Sequence, residues 1–362
     1  MHNLNNACYD PATMAKSHRF SHIYVEQRIK NLPRTREILS HFPKAQIILI
    51  EHYKDVFCRR GQDYVRQHDS QALILAEKKE HFLYEAAPVC QDFGNANFYY
   101  CSTMMNCVFD CDYCYLKGMY PSGHLVVFVN LEDYFDAIRR ELQTRNLYVC
   151  VSYDADLLAL EGVFGYGKLW AEFAAAQLGL QIEIRTKSGN CNMWAGLLVS
   201  PRVIYAFTMS PQRVITESEH GTASAAMRLE CAITGLQKGH PVRLCFDPML
   251  YVPDWQQAYS ALLKQADERL SDLDGDWNLL QDVSVGSFRI SQDYLKKLRK
   301  CKPGAAVIQF PFENVGGVYQ YPRKLAVQME AWLVQELEKR LPVEKIYRDF
   351  RSAESCGRNE KK

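Results

Sequence analysis

Three cysteines fall within eight residues of the stretch CVFDCDYCYL, at Cys107, Cys111 and Cys114, with Tyr113 and Tyr115 on either side of the last. Zinc sites take four ligands, commonly as C-x₂-C pairs. Here the spacing is x₃ and then x₂, and no partner pair follows downstream. Three thiolates suit a [4Fe–4S] cluster, in which each iron wants a ligand. Three irons are then held and the fourth stays open for a substrate or cofactor. The competing readings are a zinc loop with Cys101 as fourth ligand, and a non-enzymatic iron–sulfur or zinc protein that binds DNA.

The segments that must position this loop are legible from their periodicity. HIYVEQ, AQIILIEHY and ALILAEKK read as short strands before it, and FYYCSTMMNC leads into it. After it, strand-like and helix-like stretches alternate. HLVVFVN precedes LEDYFDAIRREL, and LYVCVSYDA precedes a helix near 166–178. QIEIRTK precedes NMWAGLL, and RVIYAFTMS precedes SAAMRLECAITGLQKG. PVRLCFDPML precedes WQQAYSALLKQADERL, and LQDVSVGSFRI precedes QDYLKKLRK. Several of these strands are apolar almost throughout, as in a parallel sheet buried on both faces. Repeated βα units predict an α/β fold with a partial (β/α)6 barrel, preceded by an N-terminal α+β extension. Chemistry in such a fold gathers at the C-terminal strand ends. The expected organisation is a flexible N-terminus at 1–21, a lead-in at 22–106, the barrel with its substrate-side elements at 107–348, and a disordered tail at 349–362.

Composition narrows the function classes. The chain has 362 residues, 48% hydrophobic and 23% charged, which is ordinary for a globular protein. A net charge of +1 gives no global field for nucleic acid, so a DNA partner needs a local basic patch. Thirteen irregularly spaced cysteines, behind an N-terminus without an apolar signal core, read as free thiols in the cytoplasm. No apolar run approaches the ~18 residues of a membrane span. Nothing in the sequence indicates an oligomeric state.

The x₃–x₂ spacing is that of the radical S-adenosylmethionine (SAM) enzymes, and the wider sequence resembles one family among them, the spore photoproduct lyases. CDYCYL resembles that family's cysteine–tyrosine loop, with Tyr113 and Tyr115 in the places of its two tyrosines. HIYVE, FVNLED, IRTK, the contiguous FTMSPQRVI and EHGTASAAMRLECA, FDPML and GGVYQYPRKL resemble further family segments in order, over about residues 22–348. The resemblance implies a [4Fe–4S] cluster on Cys107, Cys111 and Cys114, and SAM contacts from Lys187, Thr208 and Ser210. Tyr113, Asp154, Asp156 and Asp247 are further cofactor-side candidates. It implies a lyase that repairs a methylene-bridged thymine dimer in DNA, driven by a flavodoxin or ferredoxin-type electron donor. A related radical enzyme acting on another nucleic acid, a peptide or a small molecule is the alternative.

One departure from the family pattern concerns hydrogen return. The family's donor cysteine ends the strand after the first helix and is followed by a small residue, a serine and an aspartate. Here that segment is YVCVSYDADLLALEG. Matching Asp156 puts Tyr153 at the donor position; matching Asp154 makes Cys150 the donor with one inserted residue. Tyr153 is the preferred replacement, forming a tyrosine relay with Tyr113 or Tyr115, and Cys150 reads otherwise as a buried small hydrophobe. Tyr319, Tyr321, Arg323 and Lys324 combine stacking faces with cations, Arg289 ends a strand, and KKLRKCK at 296–302 is the densest basic run. Cys90 shows no ligand spacing, and Cys231 and Cys245 read as core.

Overall fold

Strands apolar on both faces belong inside a parallel sheet. In the computed structural model, which describes residues 20–87, 90–273 and 275–348, the strands Leu73–Ala76, Leu125–Phe128 and Val203–Thr208 are buried at every residue. The expectations for residues 1–19 and for the tail at 349–362 lie outside the described residues. Ten of the described cysteines are free thiols; Cys191, which is disulfide-bonded, departs from the all-thiol expectation.

Two sheets form. In the first, Gln46–Ile50, His22–Glu26, Leu73–Ala76 and Leu125–Phe128 lie parallel in that order, with Met104–Met105 antiparallel at one edge. In the second, Phe98–Tyr100, Leu147–Cys150, Leu180–Thr186, Val203–Thr208, Val242–Met249, Asp282–Ser287 and Ile346–Arg348 lie parallel. The segment Phe98–Met105 is common to both: its first three residues pair with Leu147–Cys150, its last two with Leu125–Phe128. The Cys101 amide also donates to the Cys150 carbonyl at 3.0 Å, and the Phe128 amide to the Thr103 carbonyl at 3.0 Å. Together the strands make a curled partial barrel. The expected helices follow their strands at Leu131–Leu142, Tyr166–Ala175, Ala225–Gln237, Trp255–Ser271 and Gln292–Cys301. NMWAGLL differs, forming only a 3₁₀ turn at Cys191–Trp194; Gly196, at φ +79°, directs the chain away from helix.

The concave face is polar. Arg243 donates to Tyr148 at 2.6 Å and to Asp282 at 2.8 Å, and forms an ion pair with Glu183. Leu180–Thr186 and Val242–Met249 are separated by Val203–Thr208, so Glu183 and Arg243 can meet only across the inside of the curl. Parallel register puts Cys150 beside Glu183, and strand alternation puts Cys245 with Arg243. Both thiols therefore face the concave side. Both are buried, as their reading from the sequence expects, although they lie outside the main apolar cluster. Cys231 does belong to that cluster.

The cysteine loop runs into the short helix Leu116–Met119, which packs against Gln292–Cys301. The approach is close enough to demand glycine: a Cβ on Gly118 would stand 2.6 Å from the Cα and the carbonyl oxygen of Tyr294. Gly118→Ala is expected to push the two helices apart and cost about 1–3 kcal/mol, read as a lower urea midpoint at unchanged slope.

Candidate active site

The loop is fixed by its neighbours as well as by its own turn, in which the Cys114 amide donates to the Cys111 carbonyl at 3.1 Å. Asp110–Cys111 pairs antiparallel with Glu219–His220, and the Asp112 amide donates to the Ser218 carbonyl at 2.8 Å. Lys117 donates to the Cys111 carbonyl at 2.7 Å and pairs with Asp110 at 2.9 Å, while Lys302 reaches Asp110 at 2.7 Å. His68 Nε2 lies 3.0 Å from the Cys107 carbonyl. Cys107, Cys111 and Cys114 are free thiols. Burial pushes Cys111 up to about 12, against the pull of Lys187.

Glu219 is the centre of this anchorage. It is fully buried and forms an ion pair with the equally buried Arg228. It accepts from the Tyr113 hydroxyl and, at 2.9 Å, from Ser210 Oγ. Arg228 also donates to the Thr208 carbonyl at 3.0 Å and the Ala223 carbonyl at 2.9 Å. Burial alone would raise the Glu219 carboxyl, but Arg228 and Lys187 beside it, with the Tyr113 hydroxyl, bring it down to about 2. Sequence reading missed both Glu219 and Arg228. They sit inside the quoted EHGTASAAMRLECA, but an isolated Glu and an isolated Arg carry no spacing signal.

Lys187 follows the end of Leu180–Thr186, with Nζ 5.4 Å from the centre of the Tyr113 ring. It makes no ion pair among the described residues. Burial would lower its pKa, yet Cys111 and Glu219 hold it above the ordinary lysine value. Asp156 sets this strand end, accepting from the Lys187 amide at 2.7 Å, Thr186 Oγ1 at 2.8 Å and the Ala159 amide at 3.0 Å. The loop, Lys187, Thr208 and Ser210 thus lie together at the C-terminal strand ends. Asp247 is engaged elsewhere, paired with Arg185 at 2.9 Å across the concave face. Asp154 is buried against Ser102 Oγ, and its Oδ1 has no partner.

The residues suit a cluster better than a single ion. Among the described residues no three His, Cys, Asp or Glu side chains converge tightly enough for one metal ion. Cys101, whose thiol burial also raises, has Cys150 and Lys78 as its charged neighbours and none of the loop cysteines. The zinc loop is therefore not supported. Three thiols that each bind their own iron need no such convergence.

The sequence profile of one family, spore photoproduct lyase, matches residues 20–282. The chain belongs to the spore photoproduct lyase family. A spore photoproduct lyase of Clostridium acetobutylicum is 22% identical over 334 residues, covering 88% of this chain and 95% of the relative. One of Bacillus subtilis is 21% identical over 257 residues, covering 68% and 73%. Among solved structures, a variant spore photoproduct lyase superposes with a TM-score of 0.78 at 17% identity, over 91% of this chain and 97% of the other. Another, with bound AdoMet and dinucleoside spore photoproduct, gives 0.76 at 17% identity over 92% and 98%. The fold is accordingly the radical SAM partial barrel. No helix among the described residues is long and apolar enough to cross a membrane.

Against the spore photoproduct lyase pattern, the two loop tyrosines part company. Tyr113 lies on the Glu219 and Lys187 side, edge-on to Phe288 at 5.9 Å. Tyr115 lies with Tyr153: the ring centres are 5.8 Å apart, and the Tyr115 hydroxyl donates to the Tyr153 carbonyl at 2.6 Å. Only Tyr115 adjoins Tyr153. The strand ends at Cys150, so alternation no longer dictates where Tyr153 points. Tyr321 is not a stacking face; it is 1% exposed, and its hydroxyl accepts from the Tyr251 amide at 2.9 Å. Lys302 and Arg299 of the basic run are spent on Asp110 and on the Ile308 and Phe310 carbonyls. Lys296, Lys297 and Lys300 are left on the exposed face of Gln292–Cys301.

Replacing Glu219 by Gln strands a buried guanidinium and is expected to cost about 3–5 kcal/mol at pH 7. Because the folded carboxyl lies at about 2 against an ordinary 4.5, the wild type holds this stabilisation above pH 4.5 and loses it as pH falls toward 2. Urea unfolding of the two proteins across that window should show their difference shrinking.

Proposed function

We propose that this chain reductively cleaves SAM and uses the resulting radical to repair spore photoproduct, the thymine dimer, in DNA. Cys107, Cys111 and Cys114 would hold a [4Fe–4S] cluster, and a flavodoxin or ferredoxin-type protein would supply its electron. When bound, the cluster and SAM together supply a 5′-deoxyadenosyl radical that removes hydrogen from the saturated thymine ring. The observation that carries this reading is Lys187, a part-buried cation beside the cysteine loop that lies near Glu219 but makes no ion pair among the described residues. A zinc-binding or purely structural loop has no use for it, whereas the SAM carboxylate would complete it.

The remaining residues bind, orient and exclude. The Glu219–Arg228 pair holds Tyr113 and the Thr208–Ser210 strand end against the loop. Asp156 holds the Lys187 backbone in place, so the amine reaches the loop from a rigid strand end. Arg185 and Asp247 present a paired charge on the concave face that can re-partner with polar groups of a substrate. Lys296, Lys297 and Lys300, on a helix packed against the loop helix, suit the DNA backbone, with affinity falling steeply with salt.

Anaerobic reconstitution followed by dithionite and SAM tests the reading. Lesion-dependent 5′-deoxyadenosine with restored thymine is expected. Deoxyadenosine without repair of the lesion would mean a related radical enzyme with another substrate, and no deoxyadenosine at all would refute SAM cleavage. Lys187→Met is expected to weaken SAM binding about 10–100-fold, the loss of a charge-assisted bond of ~1.5–3 kcal/mol. Equilibrium binding reads this directly, and an unchanged Kd would remove Lys187 from the site.

A further inference from the structure

Resting on the repair reading above, we propose that Cys90, 63 residues before Tyr153 in the chain, is the thiol that returns hydrogen to the substrate radical, with Tyr153 as its partner. Cys90 Sγ lies 3.5 Å from the Tyr153 hydroxyl. Tyr153 stacks on Tyr100, ring centres 4.2 Å apart at 26°, and its other side meets Tyr115 at 5.8 Å. Tyr115 follows Cys114 directly in the chain. One thiol is thus joined to the cysteine loop through two tyrosines. Cys150, the thiol suggested by strand order, is 7% exposed and, among the described residues, makes no hydrogen bond to a tyrosine hydroxyl, although it lies near Tyr153. Cys90 is only partly buried, so a substrate can reach it.

The chemistry balances. The S–H bond of Cys90 breaks as a C–H bond forms on the thymine radical, leaving a sulfur radical. The O–H bond of Tyr153 then breaks as the S–H bond re-forms, one hydrogen atom crossing the 3.5 Å contact. The unpaired electron comes to rest on Tyr153, in a ring stacked on Tyr100, until one electron from the donor protein (dithionite in the assay) and a proton from water restore the phenol. A phenol alone could supply the same atom. The thiol is the faster donor to carbon, however, and the phenol the better resting place. The pair therefore divides between thiol and phenol a task that the family pattern assigns to one cysteine.

The test is a single turnover in D2O on an oligonucleotide carrying the lesion, reading thymine formed per 5′-deoxyadenosine and deuterium in the thymine. The wild type should place solvent deuterium in the product, because thiol hydrogen exchanges with solvent. Cys90→Ala and the nearly isosteric Cys90→Ser should both lower thymine per deoxyadenosine at least tenfold and accumulate products trapped by dithionite. Cys58→Ala, at an exposed cysteine, serves as the reference. Loss in Cys90→Ala that Cys90→Ser restores would make the role structural. Normal deoxyadenosine with an undiminished thymine ratio in Cys90→Ala, or the loss appearing in Cys150→Ala instead, would overturn the assignment. Absence of lesion-dependent deoxyadenosine in the wild type would overturn the repair reading on which it rests. A second readout needs no cofactor: iodoacetamide labelling of Cys90 in the metal-free protein, mapped by mass, should change severalfold in Tyr153→Phe. Unchanged labelling would mean that the contact does not exist.

Discussion

A carboxylate buried without water is tolerable only when every lone pair is engaged. Glu219 meets that condition by gathering an arginine, a serine and a loop tyrosine around itself. Because its own backbone is bridged to Cys111, satisfying the charge and shaping the cysteine loop are one event. Removing any partner would leave either an unpaired charge or an unanchored loop. The positions of Lys187, Thr208 and Ser210 around the loop all follow from this one junction.

The curled sheet supplies the second constraint. Glu183, Arg185, Arg243 and Asp247 cross the inside of the curl, so the concave surface is filled by paired charges at its closed end. It opens toward the C-terminal strand ends, where Arg185 and Asp247 remain partly exposed. Thiols that look apolar in sequence, Cys150 and Cys245, share that surface.

Much of this was legible before any coordinates. The x₃–x₂ cysteine spacing, the apolar strands and the alternating helices depend on short-range patterns, and each strand proposed from the sequence is present. Lys187 was also readable, because a lysine just after a strand is a local feature. What escaped depends on contacts between distant residues. The Ser210 hydroxyl donates to Glu219, a contact that no local pattern announces. Tyr153 was placed by matching Asp156 to the family pattern, which says nothing of the rings it meets once the strand stops at Cys150. Cys90 lies 63 residues from Tyr153 in the chain, and no spacing rule connects them. Tyr321 looked like a stacking platform, yet its hydroxyl is needed to satisfy a loop amide.

The shared segment Phe98–Met105 couples the two sheets mechanically. Within these eight residues Phe98–Tyr100 pairs into one sheet and Met104–Met105 borders the other, so opening either sheet pulls on a strand of the other. The ground before the cysteine loop and the ground after it should therefore behave as one cooperative unit in amide hydrogen exchange, with protection lost together. Proteolysis within this seam would sever both halves of the site's support at once, however far it lay from the loop itself.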